Sequence, residues 1–451
     1  MLVKRGPHRV AKLGLAALVL LAPLVIAFGG SNPALVGHSR GEVAGVGPVI
    51  VVDVGTEQEI QQAIDELAAQ GGGTVLLGPG TYTIAGPINV TSNISIIGQG
   101  SGTILQATAN GIDVITDQAG GTTVVENVRL QDFAIRAGSA TGLDGIVFTN
   151  VSGLIEGIDI QGVQGTSVSV NNLGTTPVQP RTMVIRRNRI VTNVATRGIL
   201  AFASSFNPAG AAELTVASNV IEGNASTGIQ ANEAQVTDNQ VRAADTGISM
   251  SEGIVKGNYV ETATGPAISL SGDRSIAEAN LVQLGGDEGI LASGQNAVIV
   301  GNTVLAWSLA GGSHAAIRAE GFATVTGNHI RSGGGGIDGE GIIGNNGNNV
   351  ISGNFVVSNS PAIGITTNGG SNTIAGNYVT NGIQNNGNDV AISGNIVTSG
   401  GVDVTSTSGN LVSGNFISGN LDGTGASTCA FTGNRVTGTL TAGGCSVSNN
   451  V

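Results

Sequence analysis

The sequence predicts an all-β fold, a single right-handed parallel β-helix, and three observations carry that expectation. A short phrase recurs: SGNFV, AGNYV, SGNIV and SGNFI place Asn354, Asn377, Asn395 and Asn415 at intervals of 23, 18 and 20 residues. That period is too long for a helical turn and suits one coil of a solenoid. A second element keeps step with it, a small residue followed by Ile or Val, as in Ala362-Ile363, Gly382-Ile383 and Gly401-Val402. Composition is the third: 74 glycines, 11% charged and 3% aromatic residues leave too few charges for a disordered chain and too many glycines for a helical one.

Each unit therefore reads as short strand, Asn turn, short strand, Gly turn, short strand. Such a unit cannot bury its inner face alone, so coils must stack with their strands in parallel. The ladder extends upstream through Asn188, Asn219, Asn239, Asn258, Asn280, Asn302 and Asn328, and Asn434 follows the quartet. The partner element tracks it at Gly198-Ile199, Gly228-Ile229, Gly247-Ile248, Ala267-Ile268, Gly289-Ile290, Ala316-Ile317 and Gly336-Ile337. The asparagine is expected to take a left-handed backbone at a tight corner and to pass hydrogen bonds between coils. A net charge of -12 argues against nucleic acid or an anionic membrane as the main partner.

In chain order, residues 1–30 read as a signal segment. Lys4, Arg5, Arg9 and Lys12 precede an apolar run from Leu13 to Phe28, and Ala27-Phe28-Gly29 offers a small-x-small cleavage pattern. Export to the medium or the cell surface is the expectation, with an uncleaved anchor as the alternative. Residues 31–52 read as a linker and 53–451 as the β-helix domain, opened by a cap module at 53–106. There Thr56 is placed to cap a helix with Ile60, Ala63, Ile64 and Leu67 on one face, ended by Gly71 to Gly73.

The segments GGGTVLLGPGTYTI and NISIIGQGSGTIL follow that helix. A short amphipathic helix, then GGGTV, a PGTY turn and an IxGxG coil resemble the N-terminal cap of the pectin-lyase-like β-helix superfamily. That group holds pectate and pectin lyases, polygalacturonases, alginate-active enzymes and phage tailspikes. The resemblance implies a polysaccharide partner and a cleft on the outer face of one strand stack. The group's catalytic signatures are missing: there is no Asp-Asp pair, neither His314 nor His329 precedes Gly, and Asp-Pro-His-Glu is absent.

Site candidates come from stacking the coils. Aligning Ile290, Ile317 and Ile337 sets Asp287 and His314 three residues before the isoleucine, Arg318 and Asp338 one after, and Glu320 and Glu340 three after. Alternation turns these polar residues outward. The candidate catalytic residues are thus His314, Arg318, Asp338, Glu320 and Glu340, with His314 or Arg318 as base. Asp287, Glu320 and Glu340 are candidate ligands for Ca²⁺. The alternative is a solvated ladder of ion pairs.

Arg181, Arg186, Arg187, Arg189 and Arg197 gather between two loops, Asn171 to Thr182 and Phe202 to Glu213, on coils 31 residues long. They match an acidic sugar chain, or pair with Glu156, Asp159 and Glu222 of neighbouring coils. His329, Phe355 and Tyr378 each follow a ladder Asn, as do Tyr259 and Phe416, and either offer ring faces to sugars or support the sheet. Cys429 and Cys445 each lie five residues before an Asn and are expected to form a disulfide, the alternative being two buried thiols. Two function classes remain: a lyase or glycosidase on an acidic polysaccharide, and a non-catalytic surface or matrix protein that binds or adheres.

Overall fold

A computed structural model describes residues 40–41, 47–117, 124–172, 182–192, 196–203, 214–243, 245–262, 264–283, 285–307, 314–332, 339–358, 362–405 and 407–451. The signal segment, Arg181, Asp338 and most of both long loops lie outside them. The described chain winds through three parallel sheets. Sheet A has 19 strands, of which Arg40–Gly41 pairs antiparallel with Val49–Val52, and sheets B and C have 16 each. Within a coil the order is A, B, C, as in Thr373–Ala375, Tyr378–Val379 and Ile383–Asn385. Sixteen coils at about 4.8 Å each extend the stack to about 75 Å. The stack opens with Val49–Val52, which pairs in parallel with Gly73–Leu77 and lies ahead of the cap module as read from the sequence.

The interior is a set of apolar columns. Along sheet C, Ile199, Ile229, Ile248, Ile268, Ile290, Ile317, Ile342, Ile365, Ile383 and Val402 are register partners, and all are buried. At Gly228, Gly247, Gly289, Gly341 and Gly364 the residue before is small because a sheet B valine packs there: a Cβ on Gly364 would lie 2.2 Å from Val379 Cγ1. At Gly382 and Gly401 the neighbouring coil's backbone takes that space. Two assignments from the sequence are corrected here. The coil after Ile317 places Gly341-Ile342 in the column, not Gly336-Ile337, and the next places Gly364-Ile365, not Ala362-Ile363. Both coils offer two small-apolar dipeptides, and spacing alone does not choose between them.

The corner between sheets A and B holds the asparagine ladder. From Asn188 to Asn434 each ladder Asn donates from Nδ2 to Oδ1 of the next, for example Asn302 to Asn328 at 3.0 Å, and Asn450 ends the run. The ladder side chains up to Asn434 are buried. The left-handed conformation belongs to the preceding residue, not to the asparagine: φ is 63° at Gly353, 65° at Gly376, 53° at Ala279 and 56° at Ser218. This explains the Gly-Asn dipeptide. Glycine takes the turn that a Cβ opposes, and the amide turns inward to bond the next coil.

Helix Glu57–Ala68 covers the first coils with Ile60, Ala63, Ile64 and Leu67, and a capping box between Thr56 and Glu59 starts it. At the other end Cys429 and Cys445 form a disulfide with Cα atoms 4.4 Å apart. No helix among the described residues is long and apolar enough to cross a membrane.

Candidate active site on sheet C

One acid–base cluster stands where sheet C strands begin. Asp287 and His314 occupy equal positions on consecutive coils, each three residues before its inward isoleucine. His314 Nδ1 touches Asp287 Oδ1, and Glu288 Oε1 lies 3.4 Å from the same nitrogen. Arg318 brings its Nε to 3.1 Å from Glu288 Oε1. Glu340 joins from the following coil as the register partner of Ala315, beside His314.

Electrostatics set the protonation of this group. Burial, then the neighbouring Glu288, hold the Asp287 carboxyl above the ordinary aspartate range, while His314 and Arg318 pull it back. Burial likewise raises Glu340, against the opposing effects of Thr366 and Arg318. Burial thus favours the acid form of Glu340, the form that can donate a proton, and the Nδ1 contact leaves His314 Nε2 free to accept one.

The structure brings together four of the sequence candidates, Asp287, His314, Arg318 and Glu340, and adds Glu288. Glu320 stands apart, three residues beyond Ile317 and opposite Asn345. With Ile342 in the column, Glu340 is not its partner. The alignment that paired Arg318 with Asp338 falls for the same reason: Arg318 is opposite Ile343. Glu288 escaped the sequence reading because alternation counted back from Ile290 sends it into the core. The strand starts only at Ile290, so alternation does not reach Glu288, which is 5% exposed.

The expected Ca²⁺ set of Asp287, Glu320 and Glu340 is not assembled. Among the described residues the cluster within metal-ligand reach is Asp287, Glu288 and His314. It does not fit calcium, which takes six to eight oxygens, because it supplies few carboxylates and one imidazole, with a guanidinium already on Glu288.

The four described arginines of the cluster are spent on neighbouring coils. Arg186 grips Glu156 at 2.9 and 3.1 Å, and Arg187 reaches the same carboxylate at 3.0 Å. These bonds draw the Glu156 carboxyl below the ordinary glutamate range. Arg189 lies between Asp159 and Glu222, at 3.4 and 3.6 Å. Arg197 stands elsewhere, on sheet C, bonded to Gln230 at 2.5 Å. The four described arginines, Arg186, Arg187, Arg189 and Arg197, therefore form no single cationic groove with Arg318; Arg181 lies outside the described residues.

The aromatic stripe on sheet B is a stack along the coil axis. Phe355 and Tyr378 lie 4.8 Å apart at 10°, His329 meets Phe355 edge-on at 5.1 Å, and Arg435 covers Phe416. Phe355 and Tyr378 turn their faces to each other, so the stripe supports the sheet and offers outward edges in place of sugar-stacking faces.

Residues 206–356 match the family model described as right handed beta helix region. No curated protein sequence matches the chain. Among solved structures it is similar to the A-module of a mannuronan C-5 epimerase of Azotobacter vinelandii, at 14% identity over 88% of this chain and 94% of that one, TM-score 0.29. It is similar to a DFA-IIIase from Arthrobacter chlorophenolicus A6, at 15% identity over 66% and 90%, TM-score 0.48. A mutant tailspike protein of E. coli bacteriophage HK620 in complex with a hexasaccharide gives 13% identity over 87% and 74%, TM-score 0.44. The family match in the middle coils and the three stacked sheets show that the chain folds as a right-handed parallel β-helix.

Proposed function

We propose that the chain is an exported β-helix protein that binds an acidic polysaccharide on the outer face of sheet C and cleaves it by a lyase-type elimination. The observation that carries this reading is the contact of His314 Nδ1 with Asp287, beside Arg318 and Glu340. Asp287 orients the imidazole, and Nε2 removes the proton from the carbon next to a uronate carboxylate. The electron pair forms the new double bond as the glycosidic C–O bond breaks, and protonated Glu340 gives the leaving oxygen its proton. Arg318 supplies the positive charge that faces the substrate carboxylate. Export is supported by the basic-then-apolar N-terminus and by the disulfide.

The test is incubation with a panel of uronate-containing polysaccharides, reading ultraviolet absorbance of unsaturated ends and reducing ends together. Unsaturated product that His314→Ala abolishes supports elimination; reducing ends without unsaturation reject it in favour of hydrolysis. The second reading, a non-catalytic binding or adhesive protein, is favoured by the charge-poor coils 342–451. Their only charged side chains are Asp389, Asp403, Asp422 and Arg435. Retardation in a polysaccharide gel with neither product supports that reading instead.

A further inference from the structure

At the other end of the sheet C strands from the cluster, the outward position three residues past the inward Ile, Val or Leu forms a column: Glu320, Asn345, Asn368, Asn386, Thr405 and Thr424. After Glu320 it carries no charge. Asn368 donates from Nδ2 to Asn345 Oδ1 at 3.0 Å, and Asn386 donates to Asn368 Oδ1 at 2.9 Å. Gln384 adds an amide bonded to Asn386 Oδ1 at 3.3 Å. The buried ladder uses its amides fully against backbone and the next coil, whereas Asn368 and Asn386 are exposed. Of the two bonds of Asn368, the one to Asn345 takes one of its two N–H groups and the one from Asn386 takes one of its two lone pairs. A donor and an acceptor therefore remain toward solvent on the Asn368 rung, with Asn386 the next amide one coil on, about 4.8 Å away. The hydroxyls of Thr405 and Thr424, by contrast, donate to Asp403 and Asp422.

We infer that this column is a binding track for an uncharged, hydroxyl-bearing run of a polysaccharide lying along the coil axis from the Arg318 cluster toward the C-terminal coils. The inference rests on the reading proposed above, and it narrows the substrate. Hydroxyl groups both donate and accept, which is what each exposed amide offers. Residues 341–388 contain no Asp, Glu, Lys, Arg or His, so a run of uronates laid here would meet no counter-charge. The polymer that fits both features is a heteropolysaccharide. An acidic residue meets Arg318, and the sugars next to it on the C-terminal side are uncharged.

Affinity electrophoresis with two probes tests this: polygalacturonate, all uronate, and gellan, whose uronates are separated by neutral sugars. The parent should be held more tightly by gellan. Asn368→Ala with Asn386→Ala should weaken gellan binding about tenfold and leave polygalacturonate binding unchanged, since two amide partners are lost. The single change Asn386→Ser, which keeps a donor and an acceptor, should lose much less, and it serves if the double variant does not fold. Equal gellan binding by parent and double variant overturns the track, as does a parent that prefers polygalacturonate. A parent held by neither polymer overturns both the track and the proposed function. A parent that eliminates gellan while the double variant binds it equally well overturns the track alone.

Discussion

His314 and Asp287 lie on consecutive coils with the imidazole Nδ1 against the carboxylate, and a buried Glu288 faces the same nitrogen. An imidazole held on one nitrogen by acceptors presents the other as a base. His314→Ala should lower turnover of a uronate polymer about 10²- to 10⁴-fold, the range for a lost general base, with gel retardation unchanged. Asp287→Asn, which keeps an oxygen at the site but loses the charge, should fall between this variant and the parent. Parent-like turnover by His314→Ala would remove the cluster from the chemistry.

The asparagine ladder makes a second claim, about stability. Asn302 Oδ1 accepts from both the backbone N–H and Nδ2 of Asn280 at 2.9 Å, while its own Nδ2 donates to Ala277 O at 2.9 Å and to Asn328. Asn302→Ala leaves buried polar groups on two coils without partners. The cost is about 1–3 kcal/mol for each group, so about 3 kcal/mol or more together. Asn450→Ala at the half-buried end of the run should cost less. Guanidinium unfolding of both variants measures the difference, and equal losses would show that the ladder adds nothing beyond its turn.

The left-handed residue before each ladder Asn makes a third claim that the first two do not touch. Gly353 has φ 63° and open space where a Cβ would stand, so Gly353→Ala should cost about 1–2 kcal/mol from backbone conformation alone. Ala279, at φ 53°, already bears that strain. Ala279→Gly should raise the melting temperature, offset in part by the greater freedom of glycine in the unfolded chain. A fall in melting temperature for Ala279→Gly would show that side-chain contacts of Ala279 outweigh its strain.

The fold was legible because its determinants repeat. Thirteen coils write the same inward amide, and a repeat of residue type at a fixed period survives any uncertainty about individual turns. The cap helix was legible for a local reason, since Thr56 and Glu59 lie within one turn. The site was less so, because its register depends on which of two Gly-Ile pairs enters the column. An error of five residues, Ile337 for Ile342, exchanged the partners of Glu340 and Arg318. Glu288 was hidden because it sits before the strand, where period-two alternation has no meaning. The arginine pairings belong to coils 30 and 31 residues apart, and either partner, sugar or carboxylate, satisfies a guanidinium equally well on paper.

Asp113 and Asp144 are direct register partners at the start of sheet C strands, and this like-charge pair makes the fold respond to acid. Burial, then the Asp144 charge, raises the Asp113 pKa above its ordinary value. A folded value above the unfolded one means that folding favours the protonated form. Its contribution is complete below the unfolded pKa and is lost as pH rises through the folded pKa. Glu156 runs the other way: its pKa is lowered by Arg186, so its contribution is present above the unfolded value and lost as pH falls through the folded one. Melting temperature should therefore rise as pH drops from neutral into the raised Asp113 range, then fall as Glu156 is protonated. Asp113→Asn removes the opposed charge and should stabilise the protein at neutral pH by about 0.2–1 kcal/mol, the range for like charges directly across a sheet. That gain should vanish below the ordinary aspartate range, where the parent carboxyl is itself neutral. A gain of the same size at every pH would assign the effect to packing and leave the Asp113–Asp144 repulsion without a role.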